Sequence, residues 1–177
     1  MALPIAPGTY SIDNHHSQLG FAVTHLGIST IRGTFDQYSG ALYVGEDLAT
    51  TVVAIEAEMG SINSGDRARD DHLFGADFFD TAAHPQMNFR STSIEEAGSG
   101  YEMTGDLTIK GITHPVTFDV NFNGSETFPV DNSTHFGFTA SGSISRSAFG
   151  VSYAVPLVSD EVTLTLDVQF ILPKADA

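Results

Sequence analysis

A chain of 177 residues with 41% apolar side chains is long enough to bury one sizeable core. Its 22 acidic and 7 basic residues leave a formal charge of −15, which argues against binding nucleic-acid phosphates or resting on anionic lipid headgroups. The chain has no Cys, which excludes disulfides, thiolate catalysis and Cys-ligated metals. The first residues show no basic region followed by an apolar one, and no run reaches the ~18 apolar residues of a spanning helix. The expectation is a cytoplasmic protein without stable membrane insertion, periplasmic or secreted only if a leader has been removed.

In chain order, the dominant pattern is strict alternation, the mark of strands with one buried face. Phe21, Val23 and His25 share a face opposite Ala22, Thr24 and Leu26. Arg32–Tyr38 and Thr51–Glu58 read as the next strands. Asp66–Phe74 is the one helical candidate, with Ser64 or Asp66 able to cap it. Met87 and Phe89 then stand opposite Asn88 and Arg90. Met103, Gly105, Leu107 and Ile109 alternate with Thr104, Asp106 and Thr108. Val116, Phe118, Val120 and Phe122 alternate with Thr117, Asp119 and Asn121. Phe136, Phe138, Ala140, Gly142 and Ile144 form another inward row, and Val162, Leu164, Leu166, Val168, Phe170 and Leu172 the last. Gly98-Ser99-Gly100, Lys110-Gly111 and Asn123-Gly124 read as the turns between these runs.

About eight sequential antiparallel strands, each with one apolar face, can close on themselves and so remove their exposed edges. The pattern predicts an all-β fold: one eight-stranded antiparallel lipocalin-like β-barrel with a short helical insertion. A single domain would span 1–177, with the ordered barrel over about 9–173. Phe rings crowd the inward rows, yet Ala57, Ser91, Gly105, Ala140 and Gly142 leave inward positions nearly bare. Either the rings fill those gaps or an apolar channel remains, and the pattern alone does not decide.

No catalytic motif is present, and no catalytic residue is assigned. The seven His are scattered; His15 and His16 are adjacent and point to opposite faces of an extended chain, so no metal site is expected. Arg67, Arg69, Asp70, Asp71 and His72 form the densest charged cluster. Arg69, Asp70 and His72 are read as an internal ion-pair latch for the insertion, against the alternative of a headgroup clamp at the barrel mouth. The sequons at Asn123 and Asn132 read as chance.

The ordered motifs of the chain resemble the YceI family of bacterial polyisoprenoid-binding, lipocalin-like proteins. They begin with Ile12-Asp13 through His16-Ser17 and Phe21-x-Val23-x-His25-Leu26-Gly27. Arg32-Gly33-x-Phe35 and Gly40 continue them. Arg69-Asp70-Asp71-His72-Leu73, Asp77-Phe78-Phe79-Asp80 and His84-Pro85 are the most distinctive. Phe89-x-Ser91, Gly105-x-Leu107-Thr108-Ile109-Lys110-Gly111, Thr113, Pro115-Val116 and Arg146-Ser147-x-Phe149-Gly150 complete the set. The resemblance covers Tyr10 to Phe170. It implies a barrel holding an amphiphile with a long isoprenoid or acyl tail, no cofactor beyond that lipid, and a possible homodimer. Family members are often exported, which the opening residues here do not suggest.

The functional expectation is non-covalent binding, storage or transport of a long-chain isoprenoid, quinone or similar lipid, without enzymatic activity. The expected wall is Phe21, Val23, Phe35, Phe89, Leu107, Phe118, Phe122, Phe136, Phe138, Phe149, Leu164 and Leu166. His25, Arg32 and Arg146 are the candidates to meet a headgroup. The alternatives are an enzyme-like or stress-response role on a hydrophobic ligand, and a solid-cored interaction module.

Overall fold

Residues 2–173 are described in a computed structural model of the chain. The strands are β1 (Gly8–Ile12), β2 (Gln18–His25), β3 (Ser29–Phe35), β4 (Tyr38–Val44), β5 (Val52–Glu58), β6 (Ile62–Asn63), β7 (Gln86–Ala97), β8 (Gly100–Ile109), β9 (Ile112–Thr127), β10 (Thr134–Ser145) and β11 (Glu161–Ile171), with one α-helix, α1 (Arg67–Phe74). All pairings are antiparallel. β1 and β2 lie end to end along β11, β1 opposite Phe170 and Ile171, β2 opposite Thr163–Asp167. β3 and β4 run end to end beside them, and β5 and β6 beside those. These three interrupted staves and the continuous strands β7 to β11 close an eight-stranded up-and-down barrel.

The strongest alternations fold as expected. Val116 and Phe118 are buried in β9 while Thr117, Asp119 and Asn121 are exposed. Gly98 and Ser99 form the loop of a tight hairpin, and Lys110 and Gly111 both take the left-handed backbone (φ 52° and 75°) that a two-residue hairpin turn requires. The helix is capped by Asp66, whose carboxylate accepts from Arg69 N at 3.1 Å.

Three expectations are corrected. The run Arg32–Tyr38 is not one strand: the chain turns at Asp36-Gln37, where both backbone N–H groups donate to Ser61, and β4 starts at Tyr38. Asn123-Gly124 does not end β9. Phe122 pairs with Phe138 and Gly124 with Gly137, so Asn123 is the extra residue of a β-bulge and the strand runs on to Thr127. Leu172 lies beyond β11 and is exposed.

The ends of the barrel differ. At one end Leu3 and Ile5 are buried ahead of β1, and Tyr10 donates to Ala6 O at 2.8 Å. Tyr10 and Phe136 meet edge to face there, with Phe122, Phe138 and Phe170 beyond them. At the other end β6 is only two residues long. The chain between it and β7 (64–85), which carries α1, closes that end together with the segment 146–160.

Candidate ligand-binding cavity

The interior is hollow at this second end and filled in the middle. A cavity of about 550 Å³, within the range of small-molecule sites, opens among the ends of the strands. Phe21 and Val23 from β2, Ile31 and Phe35 from β3, Met87 from β7, Ile109 from β8, Ile144 from β10, and Val162 and Leu164 from β11 form its barrel side. Leu73, Phe78 and Phe79 from the insertion, and Phe149, Val151, Tyr153 and Val158 from the 146–160 segment, form its roof.

The cavity ends at a layer of side chains across the barrel. Phe89 and Phe118 pack edge to face with ring centroids 5.4 Å apart, and Leu107 is buried at the same height. The bare inward positions serve this layer. A Cβ on Gly105 would stand 2.4 Å from the Phe89 ring, and one on Gly142 would stand 3.0 Å from that of Phe118 and 2.8 Å from Thr117 O. Glycine lets the rings lie flat across the barrel here, so ring filling holds in the middle and a cavity remains at the end. Beyond the layer a second void of only about 60 Å³ is lined by residues that include Met103, Val120, Phe138, Ala140 and Leu166.

The expected wall therefore divides. Phe21, Val23, Phe35, Phe149 and Leu164 line the cavity. Phe89, Leu107 and Phe118 form its floor layer. Phe138 and Leu166 face the small void, and Phe122 and Phe136 stack with Phe138 and Tyr10 in the closed end. The single cavity wall read from the alternating faces is corrected in this respect, because facing inward does not fix height along the barrel.

The polar candidates divide as well. His25 stands at the rim, in the wall but exposed. Arg32 is exposed and pairs with Ala22 on the outer face, opposite in phase to Ile31 and Phe35, so it does not join the cavity. Arg146 borders the cavity but serves the roof. It is buried, and its guanidinium donates through Nε to Ser159 O, through Nη1 to Val151 O and Tyr153 O, and through Nη2 to Val158 O, all at 2.9–3.0 Å. Burial lowers its pKa from the usual arginine value, the nearby Asp160 charge opposing. One charged side chain thus satisfies four carbonyls of an irregular segment whose single bridge to the sheet, Val158 to His25, does not pair them.

Asp160 anchors the same segment, accepting from Ser145 Oγ at 2.5 Å and from Ser147 N at 2.8 Å. These hydrogen bonds hold its pKa below the usual aspartate value. A carboxylate with a depressed folded pKa contributes stability above its unfolded pKa and loses it as pH falls through the folded one. Asp160→Asn should therefore unfold more easily than the parent at about pH 7, with the difference shrinking below about pH 4. Denaturant melts across that range check it; a pH-independent difference would mean the carboxylate's charge is irrelevant there.

The cluster expected to be an ion-pair latch is built differently. Ser64 is its centre: its hydroxyl donates to Asp70 Oδ1 at 2.6 Å, its backbone N–H donates to the same carboxylate, and Arg69 donates through Nε to Ser64 Oγ and through Nη2 to Ser64 O. Among the described residues no Arg or Lys lies within 4.0 Å of a carboxylate; His72, 2.9 Å from Asp77, is the direct pair in this cluster. Arg69 and His72 both reach the cavity wall, and His72 meets Phe78 and Tyr153 edge to face, so the insertion and the 146–160 segment touch over the mouth.

Sequence reasoning missed Leu73, Phe78, Phe79, Val151 and Tyr153 as wall residues. The paired aromatics of Asp77-Phe78-Phe79-Asp80, apolar yet outside any strand period, were the available signal.

A chain with this architecture has clear relatives. A UPF0312 protein of Staphylococcus aureus (strain USA300) is 37% identical over 162 residues, covering 91% of this chain and 92% of that protein. The crystal structure of Burkholderia cenocepacia BcnA superposes with a TM-score of 0.78 at 26% identity, covering 89% of this chain and 98% of that one. A structure described as a polyisoprenoid binding domain from Saccharophagus degradans shares the fold at 14% identity, with a TM-score of 0.65 over 93% of this chain and 98% of its own. The YceI-like domain profile matches residues 10–170, and the chain belongs to the YceI family.

Proposed function

We propose that the protein binds a long-chain isoprenoid, quinone or similar amphiphilic lipid non-covalently in the cavity, and stores or transports it. The observation that carries this reading is the cavity itself: about 550 Å³ walled by Phe, Leu, Ile, Val and Met, with its few polar groups gathered at the mouth. Each methylene buried there contributes about 0.8 kcal/mol, roughly fourfold in affinity, without any covalent step. The polyisoprenoid-binding description of the Saccharophagus degradans domain supports the ligand class on the shared fold. The polar end of the ligand lies at the mouth beside Arg69, His72 and His25. A cytoplasmic location and a homodimer belong to the same proposal; cell fractionation and sedimentation velocity test them.

Organic extraction of the purified protein, followed by mass spectrometry, should release a long-chain amphiphile. Val23→Phe and Val162→Phe each place a ring in the cavity at a cost of about 1–3 kcal/mol if the wall must give. Excluding even two methylenes should weaken binding about tenfold. Folded variants that keep a full complement of lipid, or a parent protein that yields none, would overturn the proposal.

A further inference from the structure

A second group of side chains converges on the outer face of the barrel, and none of them lines the cavity. Between β1 and β2 the chain leaves β11 at Asp13–Ser17, where Asp13 N donates to Gln169 O and Ser17 Oγ accepts from Gln169 N, while Asn14 Nδ2 donates to Tyr38 O and Tyr38 OH donates to Ser17 O. This detour folds Asp13 and His16 over Gln169 and onto His135 of β10. The Asp13 carboxylate is buried. Oδ1 accepts from His15 N at 3.0 Å, and Oδ2 lies 2.7 Å from His16 Nδ1 and 3.6 Å from His135 Nδ1. Burial opposes its ionisation, but the hydrogen bonds it accepts from the His16 ring and from His15 N–H outweigh it, so the carboxyl stays below its usual pKa.

The hydrogen bonds around His135 fix which nitrogen faces the carboxylate as an acceptor. Ser133 Oγ donates to Asp131 Oδ1 at 2.5 Å, so it meets His135 Nε2, 3.0 Å away, with a lone pair. Nε2 therefore carries the proton of the neutral ring, as a metal-ligating histidine does when its outer nitrogen is anchored. Nδ1 then turns its lone pair toward Asp13 Oδ2 and toward Gln169 Oε1 at 2.9 Å. With Gln169 Oε1 and the carboxylate both turned to that lone pair, three electron-rich atoms face one another, an arrangement that a positive centre among them makes favourable. Two imidazoles and a carboxylate suit a borderline transition metal rather than a hard cation. Metal–ligand bonds of ~2.0–2.2 Å in a tetrahedron put ligand atoms roughly 3.3 Å apart. The donor atoms of Asp13, His16 and His135 all lie within 4.8 Å of one another, and the exposed His16 ring has room to adjust.

The geometry points to a divalent-metal site of the zinc class at Asp13, His16 and His135, completed by Gln169 Oε1 or water, which ties the break between β1 and β2 to β10. The fold binds the ion and the unfolded chain does not, so the ion raises stability by mass action.

The test is calorimetric titration of chelator-treated protein with zinc chloride, alongside melting temperature at increasing zinc. One equivalent should bind and the melting temperature should climb with zinc. Cobalt(II) should show the intense visible bands of a tetrahedral ion. His16→Asn, at an exposed position, should fold normally and bind at least tenfold more weakly; Ser133→Ala, which only orients His135, should lose about 10–100-fold. His84→Asn, remote from the group, should bind as the parent does. No stoichiometric binding by the parent would overturn the proposal, as would undiminished binding by a His16→Asn/His135→Asn variant. So would an amide flip of Gln169 or a proton on His135 Nδ1, seen by nitrogen NMR, that zinc fails to displace.

Discussion

Arg146→Met should loosen the roof of the cavity at a cost of about 3–5 kcal/mol, the range for breaking a buried charged network. The substitution keeps much of the apolar stem and removes every N–H that holds Val151 O, Tyr153 O, Val158 O and Ser159 O. Those carbonyls belong to a segment with little ladder of its own, so they must find water, and water reaches them only if the segment lifts. The effect should be local first. Amide exchange should accelerate across 147–160 while β8, β9 and β10 keep their protection. Lys should rescue little, because an ammonium has no planar fork to reach carbonyls on both sides. Guanidinium melts and hydrogen exchange together make the check. A variant with parental stability and parental exchange in the roof would show that the segment stands without its arginine. The same result bears on binding: a lifted roof wets the cavity, so lipid retention should fall even though no headgroup contact has been removed.

Phe118→Ala should lengthen the site. The ring of Phe118, leaning on Gly142 and crossed by Phe89, stands between the 550 Å³ cavity and the 60 Å³ void beyond it. The register makes the layer plain. Along β8, Ile109 faces the cavity and Met103 the void, with Gly105 and Leu107 between; along β10, Ile144 and Ala140 bracket Gly142 in the same way. Removing a buried Phe side chain typically costs about 3–5 kcal/mol in stability. In return a tail that ended at the floor can run on. With a series of straight-chain alcohols, parental affinity should rise with length and level off once the cavity is full, whereas the variant should keep gaining, about fourfold for each further methylene buried. An unchanged plateau would place the length limit elsewhere.

How much of this was legible in the sequence depends on phase. The rows of β8, β10, β11 and the first half of β9 keep one alternation from end to end, and they read directly as strands. Other staves change phase part-way. Tyr10 and Ile12 face inward on even numbers, Leu19 on an odd one, with the Asp13–Ser17 detour between. Phe35 gives way to Leu42 and Val44 across Asp36-Gln37, and Phe89 and Ser91 give way to Ile94 across a bulge at Thr92. A period-2 reading carried across such a point puts the wrong face inside, which is why β1 and β4 went unseen. The site was half legible for a related reason. Phe21, Val23, Phe35 and Leu164 come from strands and announced themselves. The roof residues Leu73, Phe78, Phe79, Val151 and Tyr153 come from segments without a period, and only three-dimensional closure brings them over the mouth. Asp13, His16 and His135 were separate histidine and aspartate positions in sequence because what joins them is a detour around Gln169.

The way the barrel closes also sets when the cavity comes into being. All but one of its seams join stretches that follow each other along the chain, so hairpins can form as the chain emerges from the ribosome. The last seam joins Ser11 to Ile171 and Ile12 to Phe170, the two ends of the fold, and β2 pairs with the same final strand. Until β11 arrives, β1, β2 and β10 each present an unpaired edge and the apolar rows have no opposite wall. Val162 and Leu164, which complete the barrel side of the cavity, are delivered by that same strand. A nascent chain thus carries an open, greasy sheet until β11 is made and becomes competent to hold a ligand only when that strand closes the barrel against β1 and β2.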